Sequence, residues 1–189
     1  VNLAGLPNVL TAARIVAVPL VVALFHWQHP WSNPLAAVVF IIAALTDSLD
    51  GYLARRLGLT TPMGEFLDPV ADKLMVATAL VLLVGHDSRP LIVLTAIVII
   101  GREITVSALR EWMAHLGARA KVAVSGLGKW KTILQMTGLS MMMFRSDLLG
   151  LPIYEIGVVL LVVAAVLTLW SMVSYLKAAW PELRRDHIA

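Results

Sequence analysis

The 189-residue chain has no cysteine, which excludes disulfides and thiolate metal sites and leaves the redox compartment undetermined. Charge is also scarce. Asp, Glu, Lys and Arg make up 14% of the residues, against about 25% in an average soluble domain. No internal repeat or low-complexity tract is evident. The opening VNLAGLPNVL has neither a basic segment nor a cleavage site, so no signal peptide is expected. The missing initiator Met suggests a processed or engineered N-terminus. What the chain has in abundance is apolar: 59% hydrophobic residues and a mean hydropathy of +0.84. The net charge of +3 is modest, and no nucleic-acid partner is expected.

These proportions predict an all-α, polytopic membrane protein, with residues 1–189 as one domain. Six apolar runs of roughly bilayer length, about 20 residues, follow a short interfacial segment at 1–7. They cover about 8–25, 34–56, 65–84, 90–113, 129–144 and 153–176, the fifth being only just long enough. The breaks HWQHPWSNP, GLTTPMG, GHDSRP, HLGARAKVAVSGLG and RSDLLGLP are rich in turn formers. Pro69 is expected near the start of the third helix, where its missing N–H is harmless. Six spans place Arg89 and Arg145 on one side. Arg55, Arg56, Arg110, Arg119, Lys121, Lys129, Lys131, Lys177, Arg184 and Arg185 fall on the other. That asymmetry predicts both termini on the cytoplasmic side.

The chemistry concentrates between residues 46 and 73, TDSLDGYLARRLGLTTPMGEFLDPVADK. Residues three or four apart share a helix face, so Asp47 and Asp50 project together from the second span, and Asp68 and Asp72 from the third. A turn at GLTTPMG would bring the pairs together. A carboxylate at bilayer depth costs about 2.5–3.5 kcal/mol on the insertion scale, and a hard cation that takes carboxylate oxygens compensates it. Gly51 and Ala54 leave a shallow patch beside the first pair, and Arg55 could reach a phosphate. Arg14, in the first span with Asn8 and Thr11 on its stripe, needs a phosphate or carboxylate partner; a substrate pyrophosphate is one such group. Glu103, Ser107 and Arg110 fall close to one face of the fourth span. Lys129, Lys131, Thr132 and Gln135 open the fifth, with Lys131 and Gln135 one turn apart. Lys129 and Lys131 join Arg110 as the cations available to bind a second phosphate. His26 and His29 are expected at the interface, and Met141, Met142 and Met143 as bundle or lipid-facing filler.

Asp-x-x-Asp-Gly-x-x-Ala-Arg, eight residues, Gly, three residues, Asp, three residues, Asp is matched at every fixed position, from Asp47 through Gly51, Ala54, Arg55 and Gly64 to Asp72. This pattern resembles the signature of the CDP-alcohol phosphotransferases, integral membrane enzymes of phospholipid synthesis. GREITVSALREWM, VAVSGLGKWKTILQM and VAAVLTLWSM are similar to stretches of bacterial members of that family, so the resemblance spans nearly the whole chain. It implies a six-helix homodimer in the bacterial inner membrane, acting on CDP-diacylglycerol with sn-glycerol 3-phosphate as acceptor. It implies two Mg²⁺ or Mn²⁺ ions held by Asp47, Asp50, Asp68 and Asp72, with Asp72 as general base. It further implies that the lipid nucleotide binds over Gly51, Ala54, Arg55 and Gly64, with Asn8 and Arg14 alongside. Arg110, Lys129, Lys131, Thr132 and Gln135 would receive the acceptor phosphate. Membrane lipids are the remaining partner. The signature does not select the acceptor, so serine or inositol phosphate stays open. A divalent-cation transporter is the alternative from another class, disfavoured by the lack of a repeat and by acids at the ends of the spans rather than their middles.

Overall fold

Prolines mark where several helices begin. The computed structural model describes residues 6–57, 62–115 and 127–185. Among them it contains α1 Leu6–His26, α2 Ser32–Leu57, α3 Pro62–His86, α4 Pro90–His115, α5 Leu127–Phe144 and α6 Ile153–Arg185, and no strand. Helices α3 and α4 both open on proline, whose fixed φ suits the first helical position. In α4 the Arg89 carbonyl accepts the first bonds, from the N–H groups of Ile92 at 2.9 Å and Val93 at 3.1 Å. The stretch GLTTPMG, expected as a turn, gives its last three residues to α3; residues 58–61 lie outside the described ones. Pro69 therefore sits inside α3 rather than near its start. Helix α6 continues to Arg185, past the end of its apolar run.

The connection between α5 and α6 is tight. Leu148 and Leu151 exchange backbone hydrogen bonds at 3.3 and 3.0 Å around Leu149 and Gly150, whose φ values are 55° and 78°. Two left-handed residues in succession make the type I′ hairpin turn. Arg145, at φ 61°, ends α5 in the same left-handed region. Its guanidinium donates to Asn33 Oδ1 at 3.2 Å and lies 4.7 Å above the Phe25 ring, which fastens this end of α5 to α1 and α2. The α3–α4 turn is fastened to α6 in a similar way. Arg89 reaches Glu155 at 3.0 Å, and Tyr154 donates to Asp87 at 2.8 Å. Partial burial raises the Asp87 carboxyl, but hydrogen bonds from Arg89 and Tyr154 outweigh it and hold the group below its usual range.

Helix α1 packs on α2 and α3, α2 on α5, and α4 on α6, while α5 and α6 form the most extensive pair. Among the described residues α4 and α5 have no close backbone approach. Phe40, Leu80, Leu83, Ile99, Leu139, Met142, Met143 and Leu161 fill the main core, so the methionine run is bundle filler at its last two positions. A smaller cluster, Val106, Leu109, Met113 and Tyr175, joins α4 to α6. Gly138 and Gly157 allow α5 and α6 to touch backbone to backbone: a Cβ on Gly138 would meet the Gly157 carbonyl oxygen at 2.9 Å. Small residues serve this purpose where helices pack in an apolar medium.

The outer surface carries many large apolar side chains, among them Val16, Ile42, Val81, Ile97, Ile104 and Val166, each more than half exposed. A soluble monomer rarely leaves so much apolar surface uncovered. Two helices among the described residues are long and apolar enough to cross a membrane: Pro90–Met113, mean hydropathy 2.0, and Ile153–Lys177, mean hydropathy 2.6. Helices α1 and α2 offer shorter apolar stretches, Leu10–His26 and Ser32–Asp47. In α2 the run is ended by the first pair of aspartates, and α3 carries Asp68, Asp72 and Lys73 in its first half. The six-helix architecture thus stands, while among the described residues two helices, α4 and α6, have the length and composition to cross a membrane.

Candidate active site

Arg14 is turned into the bundle from α1 and is only 3% exposed. A guanidinium so placed requires counter-charge, and α2 and α3 supply it. Its Nη1 donates to Asp47 Oδ1 and, at 2.5 Å, to Asp72 Oδ1; Nη2 lies 3.2 Å from Asp68 Oδ1. Thr11, nearly one turn before Arg14, donates to the same Asp68 oxygen at 2.6 Å. The acids on the two helices therefore come together on a cation from a third. Of the two kinds of partner expected for Arg14, the carboxylate is the one it holds. The aspartate side chains are 37–47% exposed, whereas that of Arg14 is 4% exposed. The carboxylates face outward and the arginine lies beneath them.

Beside them is a cavity of about 130 Å³ lined by Arg14, Ala43, Ala44, Asp47, Asp72, Met75, Thr132 and Met136. The two alanines leave this space open, and Thr132 closes it from α5. Asn8 lies on α1, Asp50, Gly51, Ala54 and Arg55 on α2, and Lys129 on α5; their side chains lie outside the described residues. Gly64 is buried in the first turn of α3. Among the described residues no three acidic or histidine side chains form a ready metal shell, since the Arg14 guanidinium stands where the carboxylates meet. The donors are nonetheless all hard carboxylate oxygens, the type that Mg²⁺ and Mn²⁺ take. Three aspartates around one guanidinium also leave room for further positive charge.

A second polar cluster bridges the gap between α4 and α5. Arg102 and Lys131 are both 6% exposed. The Arg102 Nη1 donates to Glu103 Oε1 at 2.6 Å, and Lys131 Nζ lies 4.0 Å from that oxygen. Gln135, one turn beyond Lys131, is buried with it. Arg110 is engaged elsewhere: it donates to the Tyr175 hydroxyl at 3.1 Å and lies 5.3 Å over that ring. The residues grouped in sequence as one acceptor patch thus divide. Lys131 and Gln135 turn inward, Arg110 leans on α6, and Thr132 faces the carboxylate cavity.

Residues 4–170 match the family model described as CDP-alcohol phosphatidyltransferase. The chain belongs to this family. A Pseudomonas fluorescens relative named CDP-diacylglycerol–glycerol-3-phosphate 3-phosphatidyltransferase is 49% identical over 183 residues, covering 96% of this chain and 93% of the relative. Relatives of the same name from Shigella flexneri and Salmonella typhi are each 47% identical over 179 residues, covering 95% of this chain and 97% of theirs. CDP-alcohol phosphatidyltransferases are generally metal-dependent and make phospholipids. That setting, with α4 and α6 and the apolar surface, marks a membrane protein. Sequence reasoning about this phosphatidyltransferase left three residues without a role: Thr11, Arg102 and Tyr175. The available signal was weak. Thr11 shares the Arg14 stripe, and Arg102 is the first charge after the apolar first half of α4.

Proposed function

We propose that this chain transfers the phosphatidyl group of CDP-diacylglycerol to sn-glycerol 3-phosphate, forming phosphatidylglycerophosphate and releasing CMP. The observation that carries this reading is 47–49% identity, over nearly the full length of both chains, to relatives bearing that activity in their name. The meeting of Asp47, Asp68 and Asp72 on one wall of a cavity supports it.

Asp47, Asp68 and Asp72, with Asp50 of the same signature, would hold two Mg²⁺ or Mn²⁺ ions. Bound there, such ions supply neutralisation of the pyrophosphate and alignment of attacking and leaving oxygens. Asp72 accepts the proton of the acceptor hydroxyl, whose oxygen attacks the phosphorus bearing diacylglycerol. Arg14 steadies the carboxylates from beneath. Gly51, Ala54 and Gly64 give the cytidine diphosphate a surface free of bulky side chains, and Arg55 and Asn8 bind its polar groups. Arg110, Lys129, Lys131, Thr132 and Gln135 receive the acceptor and its phosphate. The chain forms one domain whose six helices all cross the bacterial inner membrane. Both termini lie on the cytoplasmic side, and two copies pair as a homodimer.

The test is CMP release by the purified protein with CDP-diacylglycerol and a panel of glycerol 3-phosphate, serine and inositol phosphate. Turnover is expected with glycerol 3-phosphate alone, to vanish in excess chelator, and to return with Mg²⁺ or Mn²⁺. Preference for another acceptor refutes the substrate assignment. Full turnover after metal removal refutes the role of the carboxylates.

A further inference from the structure

The cluster between α4 and α5 is incompletely satisfied in an informative way. Arg102 and Lys131 are more than nine-tenths buried, yet Arg102 Nε and Lys131 Nζ have no hydrogen-bond partner. Leaving such groups unmet is costly. The anion between them, Glu103, is the least buried of the set at 30% exposure. Its Oε1 makes one short bond, 2.6 Å to Arg102, and stops 4.0 Å from Lys131. One carboxylate oxygen thus bonds one cation at a single nitrogen and reaches the other only through its charge. A tetrahedral phosphate, with three terminal oxygens and up to two negative charges, can reach both. Because α4 and α5 do not approach each other here, only side chains fill the space it would enter.

We propose that Glu103 is a displaceable counter-anion: it holds Arg102 and Lys131 in the free enzyme, and the acceptor's phosphate must expel it to bind. This rests on the reading that Lys131 receives the acceptor phosphate, and it adds Arg102 to that cradle. Glu103 then determines selectivity. A monoanionic or neutral acceptor gains too little from the two cations to dislodge a carboxylate already bonded to one of them, whereas a phosphate gains both. Its partial exposure leaves the expelled side chain room to swing aside.

The experiment measures the KM for glycerol 3-phosphate and the inhibition constant of inorganic phosphate at saturating CDP-diacylglycerol. Glu103→Gln keeps the shape and removes the competing charge, so both constants should fall by roughly 5- to 10-fold, the scale of a charged hydrogen bond in part replaced. Arg102→Gln should move both in the opposite direction. A purely structural pair would lower thermal stability in both variants and would not shift KM with opposite sign. Glu103→Asp keeps the charge but withdraws it from Lys131, and should lower the phosphate constant by a smaller factor, so the proposal stays testable if the Gln variant fails to fold. If Lys131→Ala raises the KM while neither Glu103 variant lowers either constant, the counter-anion proposal is wrong and the acceptor reading survives. If Lys131→Ala leaves both constants unmoved, the acceptor reading fails and the proposal with it.

Discussion

Gly138→Ala tests a close backbone contact between α5 and α6. An added Cβ would lie 2.9 Å from the Gly157 carbonyl oxygen and 3.0 Å from the Leu161 nitrogen. Both are backbone atoms of α6, so no side chain can swing aside and the helices must separate. Gly101→Ala, in α4, is the matched control, since its Cβ would meet nothing within 4 Å. Both changes gain about 0.5–1 kcal/mol from replacing a helical glycine. The difference between them is therefore the overpacking cost alone, about 1–3 kcal/mol. At about 2–4 °C per kcal/mol for a chain of this size, Gly138→Ala should melt several degrees below Gly101→Ala in detergent micelles. Activity should report the same displacement. Lys131 lies two turns before Gly138 on one stripe of α5, so the KM for glycerol 3-phosphate should rise more than that for CDP-diacylglycerol. If Gly138→Ala melts as high as Gly101→Ala, the close crossing is not what holds α5, and its proposed control over Lys131 falls with it.

Asp72→Asn keeps its shape but cannot accept a proton at neutral pH; turnover should be lost while CDP-diacylglycerol still binds, and an active variant would assign the base elsewhere. Lys131→Ala should raise the KM for glycerol 3-phosphate by roughly 10-fold or more, the loss of one charged hydrogen bond. Arg110→Ala should have the smaller effect, because Arg110 is turned toward Tyr175 of α6; initial-rate kinetics compare them. Thermal stability should respond to acid through Asp87. Its pKa is held below the usual carboxylate range by Arg89 and Tyr154, so the stabilisation it gives is present above its unfolded value, about 3.9, and disappears as pH falls through the lower folded one. Melting curves over that range should show a drop in the wild type that Asp87→Asn lacks, and equal slopes would remove Asp87 from the latch.

The helices were legible because each apolar run ends in a cluster of Pro, Gly and polar residues, and the boundaries follow within a few positions. They slipped where one residue serves two structures. Pro62, read as part of a turn, is equally suited to the first position of α3. The lower end of α6 outlasts its apolar run because helix formation does not require burial. Within the candidate site, the spacing of Asp68 and Asp72 put both on one face of α3, since helical periodicity is local. For Arg14 the kind of partner was legible, a phosphate or a carboxylate, but not which of the two. A buried guanidinium demands an anion, but which anion depends on the helices packed against it, and α1 lies against the two that carry the aspartates. Lys131 and Thr132, adjacent in sequence, have different surroundings. Neighbours on a helix point about 100° apart, so Thr132 lines the carboxylate cavity while Lys131 turns toward Glu103. One stripe of α5 carries Lys131, Gln135 and Gly138; the glycine brings α6 against α5, and the two polar groups on the same stripe are buried. Close packing of α5 on α6, with α4 held off from α5, leaves the buried Lys131 facing the Arg102–Glu103 pair across a gap.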